Sequence, residues 1–332
     1  MNFIKRLLEE SAYKYLLLST TAKDNKDYLI LPDRKINEKL AFNLIVGSED
    51  IAKQLLQTVD GLIDTIFVDV EKKQSIDLWN IAQVVCIKSF IVPYKPNDIT
   101  MEAADKLLNH HFQNNIESKK ILIYGTGNIS FKLALRLAEK NAKIYLLGRN
   151  LKKLEKLAET INLVIPNYTL HNVTSFDYSV ELDAIVSFVS AEKVVPGNMS
   201  NYLKSGGIAV DGGIGNFSES FIEESIKKEI KVRRLDVRIG LPFIYANLEA
   251  VKQNFFEDVM GEKIILGAKV VSGGVIGDVG SIIVDQIAKP SQVIGIANGI
   301  GGVKNDSILT KGERDSLSSI TKYILQSNQK SI

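Results

Sequence analysis

A pair of glycines near the middle of the sequence has the spacing and surroundings of a phosphate-binding turn. Gly125-Thr126-Gly127-Asn128 follows the apolar run 121–124 and precedes a stretch whose apolar residues recur with helical spacing. The first glycine permits a tight turn, and the second lets a pyrophosphate approach the backbone without a Cβ in the way. The helix that follows offers unpaired N–H groups and a positive dipole end to the phosphates. The pattern therefore predicts a dinucleotide site, with a glycine turn that binds no nucleotide as the alternative.

The residues after the next predicted strand indicate which dinucleotide would bind. An NAD enzyme usually carries Asp or Glu here, where the carboxylate binds the ribose 2′-hydroxyl. This chain instead has Gly148-Arg149-Asn150, followed by Lys152 and Lys153, with no acidic residue among them. A guanidinium can make a forked contact with a 2′-phosphate. The sequence therefore favours NADP over NAD, while the alternative for the two lysines is that they are solvated helix charges.

Alternating strands and helices on both sides of this turn predict the fold class. Five apolar runs in the second part of the chain read as strands separated by helices or crossovers: 121–124, 143–147, 163–165, 184–189 and 207–211. Such a series predicts a doubly wound parallel sheet, which is the Rossmann arrangement. The first 110 or so residues alternate in the same way and predict a separate N-terminal α/β lobe. The fold class is therefore α/β with two domains.

The C-terminal third of the chain has a different sequence pattern from the alternating strands and helices before it. The glycine-punctuated stretch 259–275 predicts a hairpin, whereas 280–288 and 307–326 read as helices. We expect an N-terminal substrate lobe over residues 1–112, completed by C-terminal helices within 280–332. The dinucleotide-binding domain then spans residues 113–279.

Composition limits the partners and the compartment. The chain has 332 residues, is 45% hydrophobic and carries a net charge of +2, so nothing indicates nucleic acid as a partner. One cysteine, Cys86, and three histidines without ligand spacing predict no metal site. No apolar stretch reaches the roughly 18 residues of a spanning helix, and residues 1–18 do not read as a signal peptide. We expect a cytoplasmic protein without membrane contact, and a homodimer as the default for such folds.

Residues 121–150 resemble the cofactor domain shared by shikimate dehydrogenases and methylenetetrahydrofolate dehydrogenases. Shikimate dehydrogenases have a glycine loop of this kind and then an Asn-Arg-Thr that holds the NADP 2′-phosphate. Gly148-Arg149-Asn150 stands in that place with the arginine retained. The resemblance implies a Rossmann domain that binds NADP.

Further stretches extend this resemblance beyond the glycine turn. Residues 68–73 lie where the shikimate enzymes have V-T-x-P-x-K, with Glu71 in place of the proline, so Lys73 falls on the family's catalytic lysine. Residues 96–100 resemble the family's N-T-D-G, which places Asp98 on the catalytic aspartate. Residues 280–286 resemble the C-terminal G-M-L-V-x-Q helix, whose glutamine, here Gln286, contacts substrate. Residues 210–216 resemble the V-I-D-V-G-I-N of the folate enzymes.

The resemblance implies hydride transfer coupled to movement of a proton. A lysine beside an aspartate can share a proton with the substrate oxygen, which makes Lys73 and Asp98 the first candidates. Lys95 is the second candidate base or acid because it shares a loop with Asp98. Ends of the fourth and fifth strands lie where open α/β sheets bind ligands. The predicted cofactor-binding residues are Gly125, Thr126, Gly127, Asn128, Ile129, Arg149, Asn150, Lys153, Val189, Ser190 and Gly213.

These observations predict an NADP-dependent oxidoreductase that moves hydride between NADP(H) and a carbonyl or imine of a small polar metabolite. One alternative is a methylene-tetrahydropterin or folate dehydrogenase, motivated by residues 210–216. Another is a regulatory protein that binds NADP without catalysis.

Overall fold

The computed structural model describes residues 13–21, 27–252, 255–274, 276 and 278–329 of the chain. The chain forms two compact units, Met1–Tyr245 and Ala246–Ile332. The first unit contains two sheets and the second contains one.

The N-terminal sheet has five strands in the order β2-β3-β1-β4-β5. Its strands are β1 (Tyr13–Ser19), β2 (Tyr28–Ile36), β3 (Lys39–Val46), β4 (Thr65–Asp69) and β5 (Phe90–Tyr94). All neighbours are parallel except β2 and β3, which form an antiparallel hairpin. Helices α1 (Glu49–Val59) and α2 (Leu78–Val85) pack on it through buried aliphatic side chains. The predicted N-terminal α/β lobe is therefore confirmed as an element of the fold.

The second sheet is entirely parallel and has six strands in the order β8-β7-β6-β9-β10-β11. Its elements follow helix α3 (Pro96–His111) along the chain: β6 (Lys120–Tyr124), α4 (Asn128–Glu139), β7 (Lys143–Leu147), α5 (Leu151–Val164), β8 (Thr174–Ser175), β9 (Leu182–Ser187), β10 (Leu203–Asp211), α6 (Glu219–Lys227) and β11 (Lys231–Arg234). Counted along the chain within this sheet, the strand order is 3-2-1-4-5-6. This is the Rossmann order, so the predicted doubly wound sheet is confirmed.

One predicted strand of this sheet is wrong. Residues 163–165 lie at the end of α5, and the third strand is instead the short β8. Helix α5 buries Leu154, Ala158 and Ile161, a spacing that continues one helical face. Leu163 and Val164 lie outside this face and are exposed, so their apolar character does not indicate a buried strand.

Helices α3 and α4 are joined by a row of ion pairs. Three carboxylates of α3 contact two cations of α4 and the lysine that follows its last residue, in the pairs Asp98–Lys132, Glu102–Arg136 and Asp105–Lys140. The cations are spaced four residues apart, so they share one face of α4. The Arg136–Glu102 and Lys140–Asp105 distances are 2.7 and 2.6 Å, and both carboxylates are buried. This ion-pair row holds α3 beside α4, the helix that follows the glycine turn.

We expect Arg136→Met to lower the free energy of unfolding by about 2 kcal/mol, because it leaves the buried Glu102 carboxylate without its closest cation. Lys132→Met is the matched control, since its partner Asp98 is 38% exposed and water can replace the lysine. The control should cost less than about 1 kcal/mol. Urea denaturation measures both, and equal losses would contradict this ranking of the two pairs.

The second unit contains the sheet β12-β13-β14-β15 and a long C-terminal helix. Its strands are β12 (Gly261–Ile265), β13 (Ala268–Ser272), β14 (Val279–Val284) and β15 (Val293–Asn298), followed by α9 (Lys311–Gln329). Helices α7 (Leu241–Lys252) and α8 (Phe255–Val259) precede them. Strands β12 and β13 form the predicted hairpin, and α9 confirms the predicted final helix.

The helix predicted over residues 280–288 is wrong, because β14 occupies most of this stretch. Ile282 and Val284 are buried at alternate positions and pack with Ile320 and Ile324 of α9. This period of two is that of a strand. The assignment of residues 280–332 to the N-terminal lobe stays a prediction. No helix in the described part of the chain is both long and apolar enough to cross a membrane.

Candidate functional site

A cleft of about 410 Å³ opens at the carboxyl ends of β6 and β7. Three chain segments line it, namely 124–127, 148–150 with Lys153, and 188–191 with Val194. Most of the predicted cofactor-binding residues come together here: Gly125, Thr126, Gly127, Arg149, Asn150, Lys153, Val189 and Ser190. Asn128, Ile129 and Gly213 are not among the lining residues. We call this space the glycine-turn cleft.

The two glycines of the turn have different surroundings. Gly125 has φ of +136°, and its N–H donates to the carbonyl of Leu147 at 2.8 Å. A Cβ at Gly125 would lie 2.9 Å from both the carbonyl oxygen of Phe188 and Oγ of the fully buried Ser130. A Cβ at Gly127 would meet nothing within 4 Å. The backbone therefore requires glycine at 125, whereas Gly127 leaves free space on the cleft side.

Helix α4 begins at Asn128 directly after this turn, and no side chain caps its N-terminus. Its first N–H groups consequently lack intrahelical partners and carry the positive end of the helix dipole. Such a terminus stabilises a phosphate placed against it.

Arg149 lines the cleft just after the end of β7, and its side chain is exposed. Burial and then Tyr178 raise the pKa of Tyr124, while the positive charge of Arg149 opposes that rise. The side-chain oxygen of Asn150 caps α5 by accepting the N–H of Lys153 at 3.0 Å. The amide nitrogen of Asn150 can donate to a ligand while its oxygen caps the helix.

The wall formed by residues 187–191 is held by Asn216, a fully buried residue that the sequence analysis did not single out. Oδ1 of Asn216 accepts bonds from Oγ of Ser187 at 2.8 Å and from the N–H of Val189 at 3.2 Å. Its Nδ2 donates to the carbonyls of Val189 and Ala191 at 2.9 and 2.8 Å. One side chain thus positions the whole wall.

The stretch 210–216 folds around Asp211. The Asp211 carboxylate accepts the N–H groups of Gly213, Gly215 and Asn216 at 3.1, 2.7 and 3.2 Å. A Cβ at Gly213 would lie 2.2 Å from the carbonyl oxygen of Val189. Gly213 is therefore needed for close packing behind the wall, and the structure does not place it on the cleft surface.

Several further lining residues were not predicted as site residues. Tyr124, Gly148, Phe188, Ala191 and Val194 all line the cleft. Their positions at or just after strand ends were the available signal, because ligands bind there in open α/β sheets. A Cβ at Gly148 would meet Thr126 at 2.9 Å, so this glycine allows the two lining segments to approach.

Lys73 lies in a polar cluster at the carboxyl ends of β1 and β4. Its Nζ is 3.0 Å from Oδ2 of Asp69 and 3.3 Å from Oε2 of Glu71. The Asp69 side chain is completely buried, and it also accepts the N–H of Thr20 at 3.3 Å. Glu71, which replaces the family's proline, further accepts the N–H of Asn97 at 3.0 Å. We call Asp69, Glu71 and Lys73 the Lys73 cluster.

Asp98 forms an ion pair with Lys132 of α4, whereas Lys73 pairs with Asp69 and Glu71. Helical spacing places Asp98 on the α4-facing side of α3, with Glu102 and Asp105. Lys95 precedes the first turn of α3, and its carbonyl accepts the N–H of Asp98 at 3.0 Å. Gln286 follows β14 in the second unit. The catalytic and substrate-binding roles of these residues stay predictions.

Residues 106–204 match the Shikimate / quinate 5-dehydrogenase family. This shikimate-dehydrogenase-like segment contains the glycine turn, Arg149 and the wall 187–191, and it confirms the predicted resemblance. The segment therefore has a distant kinship with an oxidoreductase family. No curated protein sequence matches the chain.

Three dehydrogenases are among the solved structures that resemble this chain. A shikimate dehydrogenase in complex with NADP⁺ is 15% identical, with 73% of this chain and 90% of that chain covered and a TM-score of 0.44. The dehydroquinate dehydratase and shikimate dehydrogenase of S. pombe is 14% identical, with coverages of 75% and 52% and a TM-score of 0.45. L-tryptophan dehydrogenase from Nostoc punctiforme is 12% identical, with coverages of 74% and 77% and a TM-score of 0.44.

Proposed function

We propose that the chain is an NADP-dependent oxidoreductase that transfers hydride between NADP(H) and a carbonyl or imine of a small polar metabolite. The observation that carries this proposal is the glycine-turn cleft itself. It combines open backbone at Gly127, an uncapped helix N-terminus and an exposed arginine at the position where NAD enzymes carry an acid.

Each part of the cleft has a role in this proposal. The backbone of residues 125–127 and the first turn of α4 hold the pyrophosphate. Arg149 makes a forked contact with the 2′-phosphate, and Lys153 adds a second positive charge at the same side. Val189 and Ser190, which line the same cleft, would border the nicotinamide end. The nicotinamide ring supplies or accepts the hydride when the cofactor is bound.

Proton movement is assigned to Lys73. Its ammonium can donate a proton to the substrate oxygen or nitrogen as hydride arrives at the neighbouring carbon. Asp69 and Glu71 fix the position of Nζ through contacts of 3.0 and 3.3 Å. Lys95 stays the alternative proton donor.

The first experiment is a titration of the purified protein with NADPH and with NADH, followed by nicotinamide fluorescence. We expect NADPH to bind at micromolar or lower concentration and NADH to bind at least about tenfold more weakly, because only NADPH offers Arg149 a phosphate. Binding would justify a screen of carbonyl and imine substrates. If neither nucleotide binds, the oxidoreductase proposal fails.

A second candidate is a regulatory protein that binds NADP without catalysis. It is favoured by the engagement of Asp98 in the ion-pair row, which leaves Lys73 without the partner that the family resemblance implies. A methylene-tetrahydropterin or folate dehydrogenase stays a further alternative; residues 210–216, which motivated it, hold the cleft wall through Asn216.

Lys73→Ala separates the enzyme from the regulatory protein. If Lys73 moves the proton, turnover of a substrate found in the screen should fall at least about a hundredfold, with NADPH affinity unchanged. Lys72→Ala is the matched control, because Lys72 is 72% exposed and pairs with Asp77. Absence of turnover in the wild type would favour the regulatory protein, whereas unchanged turnover in Lys73→Ala would show that another residue moves the proton.

A further inference from the structure

A second cavity lies in the first unit, beside the C-terminal end of α3 and strand β11. Its volume is about 660 Å³. Five of its lining residues are basic, namely Lys106, His110, His111, Lys231 and Arg233, and the others are Leu107, Asn109, Gln113, Asn114 and Ile208. No acidic residue lines it. We call it the basic cavity.

Two elements direct their cations towards this space. Lys231 and Arg233 are two positions apart on β11, so their side chains leave the strand on the same face, while Val232 packs into the core on the other face. Lys106 and His110 are four positions apart on α3 and share one face of that helix. Ile208 of β10, which is paired with Lys231, contributes apolar lining.

These cations differ from those of the neighbouring ion-pair row. In the described part of the chain, Lys106, Lys231 and Arg233 have no carboxylate within ion-pair distance, whereas Lys140 holds Asp105 at 2.6 Å. Lys106 instead places Nζ 4.5 Å from the ring centre of Phe243. His111 and Lys231 line the same cavity, and burial and then the charge of Lys231 lower the pKa of His111.

We propose that the basic cavity binds a small polyanion carrying a di- or triphosphate group. Three uncompensated cations around one cavity repel each other, and a multiply charged anion would offset that repulsion. Lysine and arginine together offer both point charges and a fork of donors to phosphate oxygens, and the imidazoles add further donors. The basic cavity shares no lining residue with the glycine-turn cleft, so this site is separate from the proposed NADP site.

Calorimetric titration with inorganic pyrophosphate tests this site at about 150 mM salt, where weak surface attraction is screened. We expect the wild type to bind, and the K231A/R233A variant to bind at least about tenfold more weakly. K106A, on a different element, should weaken binding in the same direction. K156A/K322A removes two exposed lysines elsewhere and controls for the change in net charge.

Thermal melting checks that each variant is folded. If K231A/R233A does not fold, the pyrophosphate affinity of K106A tests the proposal instead. The proposal is overturned if the wild type binds no pyrophosphate, or if K231A/R233A and K106A bind it as the wild type does. An equal loss in K156A/K322A would show only general charge attraction and would overturn it as well.

Discussion

Gly125→Ala is expected to lower NADPH affinity at least about a hundredfold and to lower the free energy of unfolding by about 2–3 kcal/mol. The backbone at Gly125 has φ of +136°, which strains any residue with a side chain. The new Cβ would also lie 2.9 Å from the carbonyl oxygen of Phe188, which is backbone and cannot rotate away. The turn and the adjoining wall must therefore shift together. Fluorescence titration with NADPH and urea denaturation measure the two effects.

Gly127→Ala is the matched control for this prediction. A Cβ at Gly127 meets nothing within 4 Å, so the fold should lose no more than about 1 kcal/mol, as expected for alanine at a helix N-cap. NADPH affinity should still fall about tenfold or more, because the methyl group occupies the space that a pyrophosphate needs. Wild-type affinity in Gly127→Ala would show that the pyrophosphate does not pass over this residue.

Asn216→Leu is expected to lower the free energy of unfolding by about 3 kcal/mol or more. The substitution removes four hydrogen bonds and leaves buried groups of Ser187, Val189 and Ala191 without partners. It should also weaken NADPH binding about tenfold, since residues 188–191 form one wall of the cleft. Urea denaturation and the NADPH titration test both expectations.

Ser187→Ala is the matched control for Asn216→Leu. It removes one of the four bonds to Asn216 from the same buried region, so it should cost about 1 kcal/mol and leave NADPH affinity close to that of the wild type. If the two variants lose the same stability, Asn216 does not organise the wall as inferred.

The parts of the fold that the sequence predicted correctly are those with local signals. The turn at Gly125–Gly127 combines glycine spacing with a strand before it and a helix after it, and all of this information lies within about 20 residues. The parallel sheet followed from the alternation of strands and helices. Residues 163–165 and 280–288 were assigned wrongly because a short apolar run has no unique period, and packing decided between helix and strand.

The site could be predicted from the sequence only in part, mainly because several of its residues bond to partners far away along the chain. Nothing in the stretch around Asp98 indicates that Lys132 will hold it, since the two residues are 34 positions apart. Asn216 likewise reaches back 25 to 29 positions to the wall of the cleft. The Lys73 cluster, by contrast, is local, and only the hydrogen bonds from Thr20 and Asn97 reach it from distant parts of the chain.

The most direct test of the proposed NADP specificity is a comparison of Arg149→Ala with wild type in titrations with NADPH and NADH. We predict that NADPH affinity falls about ten- to a hundredfold while NADH affinity is unchanged, because only NADPH presents a phosphate to the guanidinium. Lys152→Ala, which removes an exposed charge outside the cleft lining, should change neither affinity. Unchanged NADPH affinity in Arg149→Ala, or an equal loss for both nucleotides, would contradict the assignment of Arg149 to the 2′-phosphate.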